Sequence, residues 1–430
     1  MRRREHYTQP IIQKPLDERP RVLLLVPHLG GGGAEQVFAL LARGLSRAKY
    51  EVHLGSITDT VVPVGAFPPE VTIHALGSRR IRNSGFRVLA LIRRLRPKVI
   101  LSGMYHLNFL VLLLRPLLPR STRVLVRQNG FVSAVLTSGE LPGYTRLFYR
   151  MLYRHADRVI CQSATMADDM VPELGIRRHR LVVLANPIDV DAVRSAVHNS
   201  PSTGCINAAW PAQGIPQGLK PQNLLCFCGT AKAVPFQNPI YATSSSLWTG
   251  SGPHLLAVGR LVHEKGFDLL LRALSTLREQ VPDADLTILG SGSREGALKE
   301  LCDDLGIQSA VRFAGHIAQP WIYFSGASMF VLSSRHEGMP NALLEAAAAG
   351  LPLVALPAAG GVAELLRGQP GAWVATDVSA EALAARLLEA LQALQPGQRF
   401  THEFIEPFRL ERAIHGYEQL IDAIIEEHAL

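Results

Sequence analysis

The sequence predicts an α/β protein made of two doubly wound parallel sheets that face each other across a cleft. Three observations support this. The chain has 430 residues, 47% of them hydrophobic, and single cores rarely grow that large, so two domains are expected. Short apolar runs alternate with amphipathic stretches in both halves, as they do when strands are buried on both faces and helices cover them. Between the halves, residues 199–252 contain no Asp or Glu and only two lysines, with many Ser, Pro, Gly, Gln and Ala. Such a segment reads as a linker or insertion without a core of its own.

The first half opens at Arg21 with "RVLLLVPHLGGGGAEQVFALLARGL": an apolar strand, a glycine turn and an apolar-periodic helix. Further strands are expected at "EVHLGSI", "KVILSG", "RVLVRQ" and "RVICQS". The rhythm resumes at "HLLAVGRLVHEKGFDLLLRAL" and continues through "DLTILGSGS", "VRFAGH", "MFVLSS" and "LPLVAL". The last stretch, "FIEPFRLERAIHGYEQLIDAIIEEHA", has helical periodicity and no strand after it. The expected divisions are a disordered basic head (1–20), a first domain (21–192), a linker (193–252), a second domain (253–400) and a helical end (401–430). Open parallel sheets bind ligands outside the carboxyl ends of their strands, so the chemistry is expected in strand-to-helix loops facing the cleft.

Composition excludes several classes. No apolar run approaches the ~20 residues that span a bilayer; the longest, "LNFLVLLLRPLLP" from Leu107, is broken by Arg115 and Pro116. The start, "MRRREHYTQPIIQKPLDERP", lacks the apolar core and cleavage site of a secretory signal. A cytoplasmic protein is expected, with any membrane contact peripheral and on the cytoplasmic face. The close cysteine pair, Cys226 and Cys228, lacks the further ligands a zinc site needs. The acidic "DVD" at Asp189 and "DAD" at Asp283 read as hinge and loop, so neither metal nor cofactor is expected. The net charge is +8, with a cluster formed by Arg79, Arg80, Arg82, Arg87, Arg93, Arg94, Arg96, Lys98, Arg115, Arg120, Arg123 and Arg127. This cluster is either a solvated face or a contact for an acidic surface such as an anionic membrane; no nucleic-acid partner is expected.

Three motifs carry chemistry. In "PHLGGGGAEQ", glycines between a strand and a helix let backbone amides approach a ligand, although a glycine run is also an ordinary tight turn. In "VGRLVHEKG", Arg260 and Lys265 suit a diphosphate, one as a bidentate fork and the other as a point charge. In "SSRHEGMPNALLEAAAAGLPLVA", Glu337 precedes a helix whose first turn should hold Pro340, and Glu345 lies inside it. A carboxylate accepts two sugar hydroxyls at once, so two of them along one wall suit a hexose and a ribose. Together the motifs imply a nucleotide sugar.

The spacing E-G-M-P-N-A-L-L-E, with "VGRLVHEKG" and "GGGGAEQV" upstream, resembles the family-4 retaining glycosyltransferases, which have two Rossmann-like domains in the GT-B arrangement. The resemblance covers Arg21 to about Asp191 and His254 to the end. It implies that Gly31, Gly32 and Gly33 lie near donor phosphates and acceptor, that Arg260 and Lys265 bind the diphosphate, that Glu337 contacts the donor sugar, and that Glu345 holds the ribose. The amides of Gly338, Met339 and Asn341 are further candidate donors to the ligand. Many members carry a histidine beside the donor sugar where this chain has Gln128; His106 is an alternative polar group near the preceding strand end. The implied reaction is metal-independent transfer of a hexosyl or N-acetylhexosaminyl group, from a UDP-sugar in the favoured case, to a lipid-linked or cell-envelope glycan. Two rivals remain from the residues themselves: a non-catalytic nucleotide-sugar binder, and a dinucleotide-binding oxidoreductase suggested by the glycine loop alone.

Overall fold

The computed structural model describes residues 18–30, 32–58, 66–137, 144–199, 252–317, 319–358 and 361–427. Gly31, most of the basic head, and the insertion with Cys226 and Cys228 lie outside the described residues.

The first domain is built from β1 (Arg21–Val26), α1 (Gly33–Gly44), β2 (Glu51–Ser56), β3 (Thr72–Ala75), α2 (Gly85–Leu95), β4 (Val99–Gly103), α3 (Tyr105–Leu113), β5 (Arg123–Arg127), α4 (Val132–Thr137), α5 (Thr145–Tyr153), β6 (Arg158–Cys161), α6 (Ala164–Leu174) and β7 (Leu181–Val183). Its strands are ordered β3-β2-β1-β4-β5-β6-β7, all parallel. The run "RVLLLV" shows why such strands are apolar throughout. Val22, Leu24 and Val26 enter the core under α1, while Leu23 and Leu25 enter the core under α2, α3, α5 and α6, so both faces bury side chains.

The second domain comprises α7 (Val190–His198), β8 (His254–Val258), α8 (Phe267–Arg278), β9 (Asp285–Leu289), α9 (Glu295–Asp304), β10 (Val311–Phe313), α10 (Trp321–Phe324), β11 (Met329–Leu332), α11 (Asn341–Ala348), β12 (Leu353–Ala355), α12 (Gly361–Leu366), β13 (Ala372–Val374) and α13 (Ala380–Ala393), followed by α14 (Leu410–Glu426). Its order, β10-β9-β8-β11-β12-β13, is again all parallel. The reversal of strand order beside β8 creates a crevice at the loops that follow β8 and β11.

Every strand expected from the sequence is present. Three further strands, β3, β7 and β13, lie at sheet edges, where they are partly exposed and only three or four residues long, too short to show a strand period. The chain crosses between the domains twice, side by side: the amide of Ile188 donates to the Phe408 carbonyl at 2.8 Å. After the second crossing α14 returns to the first domain, burying Ile414, Tyr417, Ile421 and Ile424 with Phe38 and Leu41 of α1.

Candidate active site

The loop after β8 is shaped by its contact with the loop after β11. Gly266 has φ +61°, and a Cβ there would lie 2.0 Å from the Ser333 carbonyl oxygen, so both conformation and space require glycine. Ser333 Oγ donates to the Lys265 carbonyl at 2.9 Å, and the Arg335 amide donates to the Glu264 carbonyl at 2.8 Å. The Arg335 guanidinium then grips Asp268 with two bonds of 2.8 and 2.6 Å and donates to the His263 carbonyl at 2.9 Å. Burial alone would raise the Asp268 carboxyl, but the bonds and charge of Arg335 outweigh it and hold the group below its ordinary range. The outcome of this bracing is an ion pair between Lys265 Nζ and Glu337 Oε1, to which Ser334 Oγ adds a 2.9 Å hydrogen bond.

Pro340 occupies the N-cap of α11 rather than its first turn. Four residues into the helix, Glu345 is 5% exposed and faces the first domain, where Gln36 Nε2 of α1 donates to its Oε1 at 3.1 Å. Burial pushes the Glu345 carboxyl up to about 7, against the opposing influence of Gln36 and of the Trp321 indole. At the start of α11, Asn341 Nδ2 donates to the Gly33 carbonyl at 2.9 Å. A Cβ on Gly338 would lie 2.8 Å from both the Asn129 carbonyl and Gln162 Oε1, so the loop carrying Glu337 seats its backbone directly on the first domain.

Thus Lys265 and Glu337 come together, as do Gly33 and Asn341, while Gly338 and Met339 lie in the same interdomain contact. Glu345 stands on the same wall, one turn further along. Arg260 stays apart: its side chain is 72% exposed, 3.8 Å from Glu264. Gln128 is buried inside the first domain, accepting from the Tyr153 hydroxyl at 2.8 Å and donating to the Gly130 carbonyl at 3.0 Å. His106 is exposed on α3, stacked on Tyr105 with 3.8 Å between ring centroids. Gly32 caps α1 with the Glu35 carboxylate against it. Asp189 caps α7 by accepting from the Ala192 amide. Sequence reasoning missed Ser334, Arg335 and Gln36, although all lie within the quoted motifs, and it missed Asp268 and Asn186.

Two family profiles match the chain, one over each domain: Glycosyltransferase Family 4 over residues 31–192 and Glycosyl transferases group 1 over residues 244–402. The chain belongs to the family-4, group 1 glycosyltransferases. Among curated relatives of this glycosyltransferase, the lipopolysaccharide core biosynthesis glycosyltransferase LpsE of Rhizobium meliloti is 26% identical over 92% of this chain and 97% of its own. An uncharacterized glycosyltransferase of Haemophilus influenzae is 31% identical over 39% of this chain and 46% of its own, so the chain matches about half of that relative. A GDP-mannose-dependent phosphatidylinositol monomannoside mannosyltransferase of Mycolicibacterium smegmatis is 36% identical over 30% of this chain and 37% of its own. Of solved structures, sucrose-phosphate synthase of Thermosynechococcus elongatus superposes with TM-score 0.72 at 15% identity, over 95% of this chain and all of its own. HepE of Anabaena, in complex with UDP and glucose, superposes with TM-score 0.70 at 14% identity, over 94% of this chain and all of its own. At such identities these superpositions establish the fold, which is GT-B.

Proposed function

We propose that this glycosyltransferase transfers a hexosyl or N-acetylhexosaminyl group, with retention, from a nucleotide diphosphate sugar to a hydroxyl of a lipid-linked or cell-envelope glycan. The observation that carries the reading is the pairing of Lys265 with Glu337 at the ends of adjacent parallel strands. A sugar diphosphate carries the partner each of them wants: phosphate oxygens for the ammonium, sugar hydroxyls for the carboxylate. Arg260, extended into solvent, turns onto the same diphosphate, and Glu345 accepts from the ribose.

In the reaction the bond from the anomeric carbon to the diphosphate oxygen breaks, and a bond to the acceptor oxygen forms on the same face. The acceptor proton passes to the departing diphosphate, so no enzymic base is required. Lys265 and Arg260 stabilise the charge that develops on the leaving group, which makes a metal unnecessary. Gln128 cannot take up a proton; fixed by Tyr153 and Gly130, it supports the loop on which Gly338 rests.

UDP is the favoured carrier, supported by the UDP complex of HepE, and an envelope acceptor by the name of LpsE. An acceptor at an anionic membrane surface is supported by the first domain. Between Glu70 and Asp157 the sequence holds a single acid, Glu140, and α5 turns outward an apolar stripe of Leu147, Phe148 and Met151, continued by Tyr144 at its N-cap. Phe148 adjoins Phe109 of α3, with centroids 6.0 Å apart, and Leu113 near the end of α3 is also exposed. Arg154, Arg150 and Arg146 line one side of this stripe, Arg146 in an ion pair with Glu173, giving an apolar surface with one cationic flank. No helix among the described residues is long and apolar enough to cross a membrane.

The test is incubation with UDP-sugars and glycan acceptors, reading UDP release and the anomeric configuration of the product by NMR. A retained anomer is expected. An inverted product would contradict the mechanism, and nucleotide-sugar binding without turnover would favour a non-catalytic binder.

A further inference from the structure

We infer that Asn186 is a positioning residue, coupling the donor-site loop of the second domain to its contact with the glycine loop of the first. A line of side chains crosses the cleft. It begins at Arg127, the last residue of β5 and 2% exposed, whose Nη2 donates to Asn186 Oδ1 at 2.5 Å. Asn186, also 2% exposed, lies in the crossover between β7 and α7. Its Nδ2 donates to Asn341 Oδ1 at 2.7 Å and, more weakly, to the Met339 carbonyl at 3.4 Å. Asn341 Nδ2 completes the line by donating to the Gly33 carbonyl at 2.9 Å.

The orientation of every amide follows from one end. A guanidinium can only donate, so Asn186 must present its oxygen to Arg127 and its NH2 to Asn341, which must then present its own NH2 to Gly33. The hydrogen bonds all run in one direction, from β5 to the glycine loop. Asn186 touches both the first sheet and the loop that follows Glu337, although neither Arg127 nor Asn186 is assigned a donor contact. Tying this loop to Gly33 makes the placement of Glu337 depend on domain closure, and that kinetic consequence rests on the donor role proposed above.

The directionality makes a discriminating variant available. Asn186→Asp keeps the buried Arg127 paired, now as an ion pair, but has no hydrogen to give Asn341. Asn341 must then turn its NH2 toward the introduced carboxylate, which sets its oxygen against the Gly33 carbonyl, two acceptors facing one another. The full-length chain should retain a wild-type thermal midpoint. Amide exchange, read by mass spectrometry, should become about tenfold faster in residues 33–36 and 339–345, as local opening becomes easier. UDP-sugar turnover should fall about tenfold in kcat with a smaller change in KM, the pattern of lost positioning. A second variant, Asn341→Ala, cuts the line at its last link, leaves Arg127 and Asn186 bonded, and should accelerate exchange in residues 33–36; it decides the question if Asn186→Asp does not fold. Wild-type exchange in both segments of a folded Asn186→Asp, or wild-type exchange in residues 33–36 of Asn341→Ala, overturns the coupling. Faster exchange in a protein whose wild type neither binds nor turns over a nucleotide sugar upholds the coupling and overturns the donor reading instead.

Discussion

Lys265 and Glu337, 72 positions apart in the sequence, meet as an ion pair because the loops after β8 and β11 are locked together by Gly266, Ser333 and Arg335. Under the proposed function, a diphosphate sugar would replace this one pair by two interactions, so the two residues should respond differently to substitution.

Lys265→Ala should weaken UDP binding by about tenfold or more, the loss expected for one charged hydrogen bond, while leaving uridine binding nearly unchanged. Isothermal calorimetry with both ligands checks this. Equal losses for UDP and uridine would remove the phosphate contact.

Glu337→Gln should act in the opposite sense on binding. It frees Lys265 from its partner, so UDP affinity is expected to hold or rise. Transfer should fall by roughly ten- to a hundredfold as the contact to the sugar hydroxyls weakens. Parallel loss of UDP affinity and turnover would contradict this division of roles.

Glu345 gives a pH dependence with a defined sign. Its carboxyl lies at about 7 in the folded chain, against an ordinary value of 4.5, so the folded state holds an extra proton between these limits. The stability that this group contributes is fully present below about 4.5 and is lost as pH rises through about 7. Glu345→Gln should therefore be more stable than the wild type at pH 8, by about 1–3 kcal/mol, and close to it at pH 4. Ribose hydroxyls favour the ionised carboxylate, so under the proposed function a UDP-sugar, whose diphosphate does not titrate in this range, should bind the wild type more tightly at pH 8 than at pH 6 and bind Glu345→Gln without that trend. Thermal unfolding and calorimetry across this range provide both readings.

How much of this was legible in the sequence depends on how far apart the interacting residues lie. The run "RVLLLV" declared β1 because every one of its positions but the first is buried. "TIHA" did not declare β3, because its half-wet edge positions tolerate Thr and His, and "AWV" did not declare β13, because three residues are too few to show a period. Glu337, Lys265 and Arg260 stood out as motif residues, but the motif could not say that Lys265 would turn toward Glu337 while Arg260 turned toward solvent. Arg335 carried no signal of its own, because its partner, Asp268, lies 67 positions away in the sequence. The apolar face of α14 was plain from its spacing; that it would cover α1 of the opposite domain was not. Asn186 carried no signal beyond its position before a proline, because its role arises from three partners supplied by other segments.

Arg335 should be poorly replaced by lysine. Its planar fork makes two bonds to Asp268 and a third to the His263 carbonyl, which a single ammonium cannot reproduce. Arg335→Lys and Asp268→Asn should each loosen the loop that carries Lys265 and weaken UDP binding about tenfold, the scale of one charged hydrogen bond. Unchanged UDP affinity in both variants would show that the clamp does not position Lys265.

The outward stripe on α5 predicts salt-sensitive attachment to anionic vesicles, with each basic residue near the surface contributing about 1 kcal/mol. Co-sedimentation should show binding to phosphatidylglycerol-containing vesicles at low salt and little binding to phosphatidylcholine alone. Leu147→Ser with Met151→Ser, both at exposed positions, should reduce it without changing the thermal midpoint. Absence of binding at low salt would point to a soluble acceptor.

The most direct test of the central claim is thermal unfolding of wild type and Lys265→Ala against a panel of nucleotide diphosphate sugars and nicotinamide dinucleotides. A ligand at a hundred times its Kd stabilises the folded state by about 2.7 kcal/mol, enough to move a midpoint by several degrees. The expected result is that at least one nucleotide diphosphate sugar raises the wild-type midpoint and fails to raise that of Lys265→Ala. A panel in which no nucleotide sugar shifts the wild type, in which Lys265→Ala responds equally, or in which only a nicotinamide dinucleotide stabilises the chain, would contradict the assignment of the Lys265–Glu337 site to a sugar donor.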